Sequence, residues 1–322
     1  MFLEWVGKTI DTYLVNSQEV PKSSEGTYEH LRKDGFLDIP KDMLVDGGNT
    51  IQISFTNDYY NDGNGIHTYT DIDGKQYIYS QGEPHWANKM CPIFDQPDLK
   101  GTFQLTAKAP SDWIVISNEP GKVTPCENEE TLAEFGVSLP LSCYLFTVIA
   151  GPYKEIVAAP EKCYNNITMS IFCRETLYKY VVKQQVDIFE FTSDTIRRYE
   201  ELFGWNYPFH KSDTIFCPEF TVGAMENPGA ITYTEHYVFK KDNPSIAEIT
   251  DRASTINHEL AHMWFGDMVT MKWWDDLWLN ESFADFVCYI ILSDQYGKMS
   301  FPISNGWVMM NMRKGWGYRD DQ

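Results

Sequence analysis

Two patterns of hydrophobic and polar positions divide the chain. From residue 49 to about residue 158, short apolar or alternating runs are separated by Gly, Pro and Asn-Asp clusters. The runs include TIQISF (Thr50–Phe55), KQYIYS (Lys75–Ser80), GTFQLTAKA (Gly101–Ala109) and DWIVIS (Asp112–Ser117). Period-two alternation bounded by turn-forming residues is typical of strands. This half is therefore predicted to be antiparallel sheet, with MSIFCR (Met169–Arg174) as one more strand.

The pattern becomes helical after residue 174. Between Glu175 and Phe203 apolar residues recur at mostly helical spacings, and Gly204 follows as a stop signal. A second helix is predicted to begin with Asn243 as its cap and Pro244 at its first position, and to end at Gly266. Its apolar stripe, with spacings of four, three, four and three residues, consists of Ile249, Ala253, Ile256, Leu260 and Met263.

Length and charge narrow the classes of protein. The 322 residues exceed the usual size of one domain, so we predict a β-rich domain over residues 1–173 and a second domain over residues 174–322. Twenty-six Lys and Arg against 46 Asp and Glu give a net charge of -20, which disfavours nucleic acid as a partner. Acidic clefts favour cationic ligands, including the α-ammonium of a peptide.

Cysteine usage and hydropathy bear on the compartment. The seven cysteines are odd in number, scattered and without a CxxC pair, a pattern that favours a reducing compartment. The most apolar run, LPLSCYLFTVIAG from Leu139, is too short and too interrupted to span a bilayer, and the chain does not open with a signal-peptide pattern. We predict a soluble, cytoplasmic protein without a membrane segment, and the sequence leaves its oligomeric state open.

The stretch HELAHMWFGD, from His258 to Asp267, carries the candidate chemistry. His258 and His262 lie on the side of the predicted helix opposite its apolar stripe. Residues four apart differ by only about 40° in direction, so both imidazoles can reach one ion. Glu259 between them can take a proton from an activated water without binding the ion itself. The alternative is a pair of ordinary surface or core histidines.

A third candidate ligand argues against that alternative. Glu281 in WLNESFADF follows His262 after 18 intervening residues. Two histidines and one glutamate leave the fourth position of a tetrahedral zinc open, as catalytic sites require, and we predict one Zn²⁺ per chain. The pattern HExxHxxGxxH fails, since Phe265 and Met268 stand at its Gly and third His positions. Asp285, one turn past Glu281, is either an acceptor that orients a ligand imidazole or a solvated carboxylate.

Three stretches together carry a family resemblance: GAMENPGAITY (Gly223–Tyr233), HELAHMWFGD and WWDDLWLNESFADF (Trp273–Phe286). They resemble the zinc aminopeptidases of the aminopeptidase N family, which includes the leukotriene hydrolase. The resemblance extends through YSQGEP (Tyr79–Pro84) and FDQPDLKGTFQLTAKAP (Phe94–Pro110) and so covers most of the chain. It implies an α+β fold, in which a β-rich, saddle-like N-terminal domain lies over a thermolysin-like α/β zinc-peptidase domain. It also implies peptides with a free N-terminus as substrates.

The resemblance further implies roles for residues outside the metal stretch. Glu226 corresponds to the glutamate that holds the α-ammonium of the substrate, and Glu83 assists it from the other domain. The other implied substrate-contacting residues are Gln81, Gly223, Ala224, Met225 and Asn227. Carboxylates near the metal recognise a terminal cation and penalise an internal peptide bond, which leaves them unpaired. The alternative for Glu226 is a turn carboxylate in a loop rich in Gly and Pro.

The sequence also departs from the family pattern. The family carries a catalytic tyrosine well downstream of its glutamate ligand, and Tyr289, Tyr296 and Tyr318 follow Glu281 too soon to be assigned that role. ANKMCPI (Ala87–Ile93) stands where relatives usually show arginines and an aromatic residue. We therefore expect a member truncated at both ends, with turnover lowered about a hundred- to a thousandfold by the loss of one oxyanion donor. The alternatives are a catalytically silent peptide-binding protein that retains zinc and a thermolysin-like endopeptidase.

Overall fold

The computed structural model describes residues 1–24, 26–28 and 35–297, with strands in the first part and helices in the second. The strands are β1 (Phe2–Glu4), β2 (Thr9–Val15), β3 (Gln18–Glu19), β4 (Phe36–Asp38), β5 (Ile51–Thr56), β6 (Gly65–Thr70), β7 (Gln76–Gln81), β8 (Thr106–Pro110), β9 (Ile114–Ser117), β10 (Gly121–Pro125), β11 (Glu130–Phe135), β12 (Val148–Gly151), β13 (Lys154–Val157), β14 (Ser170–Cys173), β15 (Asp213–Cys217), β16 (Ala224–Met225) and β17 (Ala230–Thr234). The helices are α1 (Glu175–Phe203), α2 (Ile246–His262) and α3 (Leu277–Gly297).

The first part of the chain forms small antiparallel sheets. Strand β1 pairs with β4, β2 lies between β3 and β5, and β11 lies between β10 and β8. A four-stranded sheet has the order β6-β7-β12-β9. Every pair of named strands in these sheets is antiparallel, which confirms the prediction. The predicted strand GTFQLTAKA was too long: it starts only at Thr106, because the Phe103 N–H donates to the Ser138 hydroxyl instead of a neighbouring strand.

A mixed five-stranded sheet supports the helices. Its order is β13-β14-β15-β17-β16, with β14, β15 and β17 parallel and the two edge strands antiparallel. All residues of β14 and β15 are buried, as expected for strands covered on both faces. Strands β13 and β14 precede residue 174, and they pair into the same sheet as strands that follow it. The division of the chain into two domains at residue 173 stays a prediction.

Helix α1 matches its prediction. It runs from Glu175 to Phe203, and Gly204 follows in the left-handed conformation with φ of 65°. The Gly204 N–H donates to the Glu200 carbonyl oxygen at 2.9 Å, which closes the last turn. Glycine adopts this conformation without the steric cost that a Cβ brings, so it is a good C-terminal stop.

Helix α2 corrects the predicted start. The cap is Ser245, not Asn243, and Pro244 lies before the cap instead of at the first helical position. The Ser245 hydroxyl accepts the Glu248 N–H while the Glu248 carboxylate accepts the Ser245 N–H, so two unpaired donors are satisfied together. The helix ends at His262, earlier than the predicted Gly266. The stripe is confirmed, with Ala253, Ile256, Leu260 and Met263 buried and Ile249 half-buried.

The small antiparallel sheets of residues 1–151, the β-rich part, pack directly on the five-stranded sheet and helices of residues 154–297, the helical part. One apolar cluster contains Tyr77 and Leu145 from the first part together with Ile171, Ile215 and Leu260 from the second. A smaller cluster around Tyr13 and Leu37 holds the N-terminal strands. Within the described ranges, no helix has the length and apolar character needed to cross a membrane.

Candidate metal centre

The candidate ligands lie where α2 and α3 pack together. His258 and His262 are on successive turns at the end of α2, and Glu281 is near the start of α3. The two imidazole Nε2 atoms are 2.9 Å apart. Glu281 places Oε2 3.3 Å from His258 Nε2 and Oε1 3.7 Å from His262 Nε2. The structure thus brings together the three residues predicted as ligands.

Each histidine is held through its other ring nitrogen. His258 Nδ1 lies 2.9 Å from Asp285 Oδ1, so the predicted contact of Asp285 with a ligand imidazole is present. His262 Nδ1 lies 3.0 Å from the Phe265 carbonyl oxygen and 3.1 Å from Asn280 Oδ1. Because all these partners are acceptors, Nδ1 of each ring carries the hydrogen and Nε2 presents its lone pair. Two lone pairs and a carboxylate therefore converge on one point.

This donor set fits zinc. Ligand atoms about 2.0–2.1 Å from a tetrahedral zinc ion lie about 3.3 Å from one another, and the separations of 2.9, 3.3 and 3.7 Å bracket that value. Burial alone would raise the pKa of Glu281, but the adjacent His262 and His258, in their protonated forms, lower it to about 2. The third ligand is therefore a carboxylate anion at neutral pH, ready to bind a cation.

Further carboxylates crowd around this cluster. Oxygens of Glu83, Glu226 and Glu281 lie within 4.8 Å of one another, and ligand atoms of Glu226, Glu259 and His262 do so too. Burial raises the pKa of Glu83 well above its usual value, and the negative charge of Glu226 adds to the shift. Burial likewise raises the pKa values of Glu226 and Glu259. Cations are the partners that let such a group of acids ionise together.

Both parts of the chain position the loop that carries Glu226. Glu226 follows edge strand β16 and is 3% exposed. Asn118, at the end of β9, donates from Nδ2 to the Pro228 carbonyl oxygen at 3.0 Å. Lys211 donates from Nζ to the Gly229 carbonyl oxygen at 2.8 Å and pairs with Asp213 at 2.6 Å. These contacts therefore fix the loop at Pro228 and Gly229.

The remaining predicted substrate residues lie around this loop. Gln81 Nε2 is 3.4 Å from the Met225 sulfur, and its buried Oε1 lacks a hydrogen-bond partner among the described residues. Ala224 and Met225 form β16, with the exposed Gly223 just before it. The Asn227 amide donates to the Thr232 hydroxyl at 3.3 Å, which indicates a loop-stabilising contact.

Sequence reasoning missed two side chains at this site. The Tyr144 hydroxyl, from the β-rich part, accepts a hydrogen bond from Asn280 Nδ2 at 3.3 Å. Asn280 directly precedes Glu281, and this adjacency was the available signal.

Of the three tyrosines considered for the oxyanion role, Tyr289 packs against Ala253 and Leu292.

The other two tyrosines considered for the oxyanion role fall outside the description. Tyr318 lies outside the described residues, and so does the side chain of Tyr296.

Comparison with known proteins shows relatives along most of the chain. The peptidase M1 N-terminal domain matches residues 9–145, and the peptidase family M1 domain matches residues 188–317. Aminopeptidase N of Streptomyces lividans is 41% identical over 286 residues, 87% of this chain and 32% of that protein. Aminopeptidase N of Lactococcus lactis subsp. lactis is 35% identical over 292 residues, 88% and 32%. Leucyl aminopeptidase of Saccharolobus solfataricus is 36% identical over 237 residues, 74% and 29%.

A β-rich part packed on a helical part, with two helices that bring two histidines and a glutamate together, agrees with the predicted peptidase class. The chain belongs to peptidase family M1, whose two domains together match most of its length. The resemblance to the aminopeptidase N family is thereby confirmed. The chain spans about a third of the length of the curated relatives it matches.

Proposed function

We propose that this chain is a zinc-dependent aminopeptidase that hydrolyses the N-terminal residue from peptides. One observation carries the proposal: the carboxylates of Glu83 and Glu226 lie within 4.8 Å of the candidate ligand Glu281. A metal cluster alone supports hydrolysis in general, whereas anionic groups beside it select the end of the chain to be cut. The relatives named aminopeptidase N and leucyl aminopeptidase support the same activity.

Charge explains the choice of the N-terminus. Glu83 and Glu226 are held in a crowded site where burial raises the pKa of each. A substrate ammonium offers these carboxylates a cation with several N–H donors. An internal peptide bond or an acetylated terminus offers no charge and leaves both acids without a cationic partner, at a cost of roughly 1–3 kcal/mol or more for each.

The free edge of β16 can bind the backbone of the substrate. Strand β16 lies at the edge of the five-stranded sheet, so one side of its backbone faces away from β17. An extended peptide can add to such an edge through main-chain hydrogen bonds. Because Glu226 directly follows β16, a peptide on this edge would bring its amino group towards that carboxylate.

The zinc ligands and Glu259 have different roles in the proposed hydrolysis. Zinc, when held by His258, His262 and Glu281, supplies a Lewis acid that lowers the pKa of water to about 7. Glu259 follows His258 on α2, and its side chain is 4% exposed. Its carboxylate is suited to accept a proton from the attacking water and to deliver it to the nitrogen of the leaving amine.

The test is hydrolysis of an alanyl anilide and its N-acetylated form by the chain, with and without zinc. We expect zinc-dependent cleavage of the free amine only, and a loss of about 10²- to 10⁴-fold in Glu259→Gln. Asp251→Asn, which removes a charge from the exposed face of the same helix, is the matched control and should keep the activity.

Each alternative has its own outcome. Equal cleavage of the two substrates would indicate an endopeptidase and refute the role of Glu83 and Glu226. A chain that cleaves neither substrate, binds one zinc and releases a bound peptide when peptides with a free amine are added would be a silent peptide-binding protein. We also propose a cytoplasmic location, which the seven free thiols support.

A further inference from the structure

We propose that Asn280 is a positioning residue that couples the candidate ligand His262 to the candidate amine anchor Glu226. The inference rests on the proposed function, since it assumes a metal on the first residue and an ammonium on the second. Asn280 is 3% exposed and lies one residue before Glu281 on α3. Adjacent helix residues point about 100° apart, so the two side chains reach different sides of His262.

The oxygen of the Asn280 amide contacts the histidine. Asn280 Oδ1 lies 3.1 Å from His262 Nδ1, while Glu281 Oε1 lies 3.7 Å from Nε2 of the same ring. The two neighbours on α3 therefore bracket the imidazole, one at each nitrogen. An acceptor at Nδ1 fixes the hydrogen there and leaves the Nε2 lone pair directed at the metal position.

The nitrogen of the same amide contacts the candidate amine anchor, Glu226. Asn280 Nδ2 donates to Glu226 Oε1 at 3.4 Å and to the Tyr144 hydroxyl at 3.3 Å. Tyr144 comes from the β-rich part and is fully buried. One amide group therefore contacts the metal cluster, the amine anchor and the opposite half of the chain.

The contacts favour one orientation of this amide. A flipped amide would turn Nδ2 towards the Nδ1–H of His262 and Oδ1 towards the Glu226 carboxylate, so that both contacts would be repulsive. Gly266 leaves the space for the correct orientation, because a Cβ there would overlap Oδ1 and lie 3.0 Å from Cγ of Asn280. A shift of Asn280 therefore disturbs both binding sites together.

The experiment measures two affinities on the same chain, neither of which needs turnover. Zinc affinity is measured by competition with a chelator. Amine affinity is measured by calorimetry with L-alaninol, which has a free amine and no bond to hydrolyse, against its N-acetyl form. Asn280→Leu removes both contacts but leaves the Phe265 carbonyl oxygen 3.0 Å from His262 Nδ1. It should therefore lower zinc affinity by about tenfold, the low end of the usual range, and alaninol affinity roughly tenfold.

A second variant separates the contact with His262 from the contact with Glu226. Asn280→Asp keeps an acceptor for His262 Nδ1, so zinc affinity should stay within about threefold of the original. It also removes the N–H donor to Glu226 and places a further carboxylate beside the amine position, so alaninol affinity should change by roughly tenfold while zinc affinity does not. Asn88→Asp, at a buried asparagine of the β-rich part that is 6% exposed, is the control and should change neither affinity.

A split between the two affinities in Asn280→Asp supports the coupling, since a general loss of structure lowers both together. Parallel losses in both Asn280 variants, or no loss in either, would overturn the inference while leaving the proposed function intact. Failure of the unsubstituted chain to bind zinc or alaninol would overturn the proposed function, and this inference with it.

Discussion

The substitution Gly229→Ala should displace the loop that carries Glu226. Gly229 has a φ of +74°, and an added Cβ would overlap the backbone oxygen of Asn118. The Cβ would also lie 3.2 Å from the Asn118 carbonyl carbon and 3.4 Å from Lys211 Cγ. Because the overlapping oxygen belongs to the backbone, no change of rotamer can relieve the clash. The loop and the end of β9 must therefore move apart.

The expected cost has two parts. A residue with a Cβ in the left-handed region costs about 1–2 kcal/mol. Separation of the loop from its supports also weakens the Asn118 bond to Pro228, at 3.0 Å, and the Lys211 bond to Gly229, at 2.8 Å. A neutral hydrogen bond contributes about 0.5–1.5 kcal/mol and one to a charged group somewhat more, so partial loss of both adds about 2 kcal/mol. The total is about 3–4 kcal/mol.

Equilibrium unfolding in urea measures this cost, and Gly204→Ala is the matched control. Gly204 has a similar φ of +65°, but an added Cβ would meet no atom within 4 Å. The control should therefore lose only about 1–2 kcal/mol from backbone strain. Equal losses in the two variants would refute the clash. Only Gly229→Ala should also weaken the binding of free amines, since Glu226 lies in the same loop.

Three further substitutions test other contacts. Asp285→Asn weakens the acceptor at His258 Nδ1 and should lower zinc affinity about 10- to 100-fold in a chelator competition; unchanged affinity would deny that contact a role. Lys211→Met leaves the buried Asp213 carboxylate unpaired and should cost about 3–5 kcal/mol in urea unfolding, whereas a loss below about 1 kcal/mol would contradict the pairing. Ser245→Ala should cost about 0.5–2 kcal/mol through its lost cap, without a change in zinc affinity, because the cap is at the opposite end of α2 from the histidines.

Local periodicity explains what the sequence predicted well. The interval between His258 and His262 sets their shared direction on any helix, and the stripe that ends at Met263 shows which face is buried. The stop at Gly204 is equally local. These features depend on a few neighbouring residues, so the structure follows the pattern. The start of α2 was wrong because Asn243 and Ser245 compete as caps, and only Ser245 has Glu248 three residues ahead to complete the box.

Long-range contacts explain what the sequence did not predict. Tyr144 reaches Asn280 across 136 positions, and Asn118 reaches Pro228 across 110. No periodicity or spacing carries such information, because it depends on how the β-rich part packs on the helices. Tyr144 lies in a run that the sequence describes only as apolar, and its buried hydroxyl acquires a role through that packing.

For the proposed aminopeptidase activity, the position of the cut depends on the packing between the two parts. The candidate metal ligands lie on helices, whose rigid backbones fix them relative to one another. Glu83 comes from the β-rich part, and Glu226 comes from a loop that Asn118 of that part holds in place. Arg174 ties the parts further, with hydrogen bonds of 2.8 Å to Asp71 and 2.6 Å to Glu235. In the proposed activity the distance from ammonium to metal selects the bond to be hydrolysed, so changes at this interface should alter cleavage position before they alter metal binding.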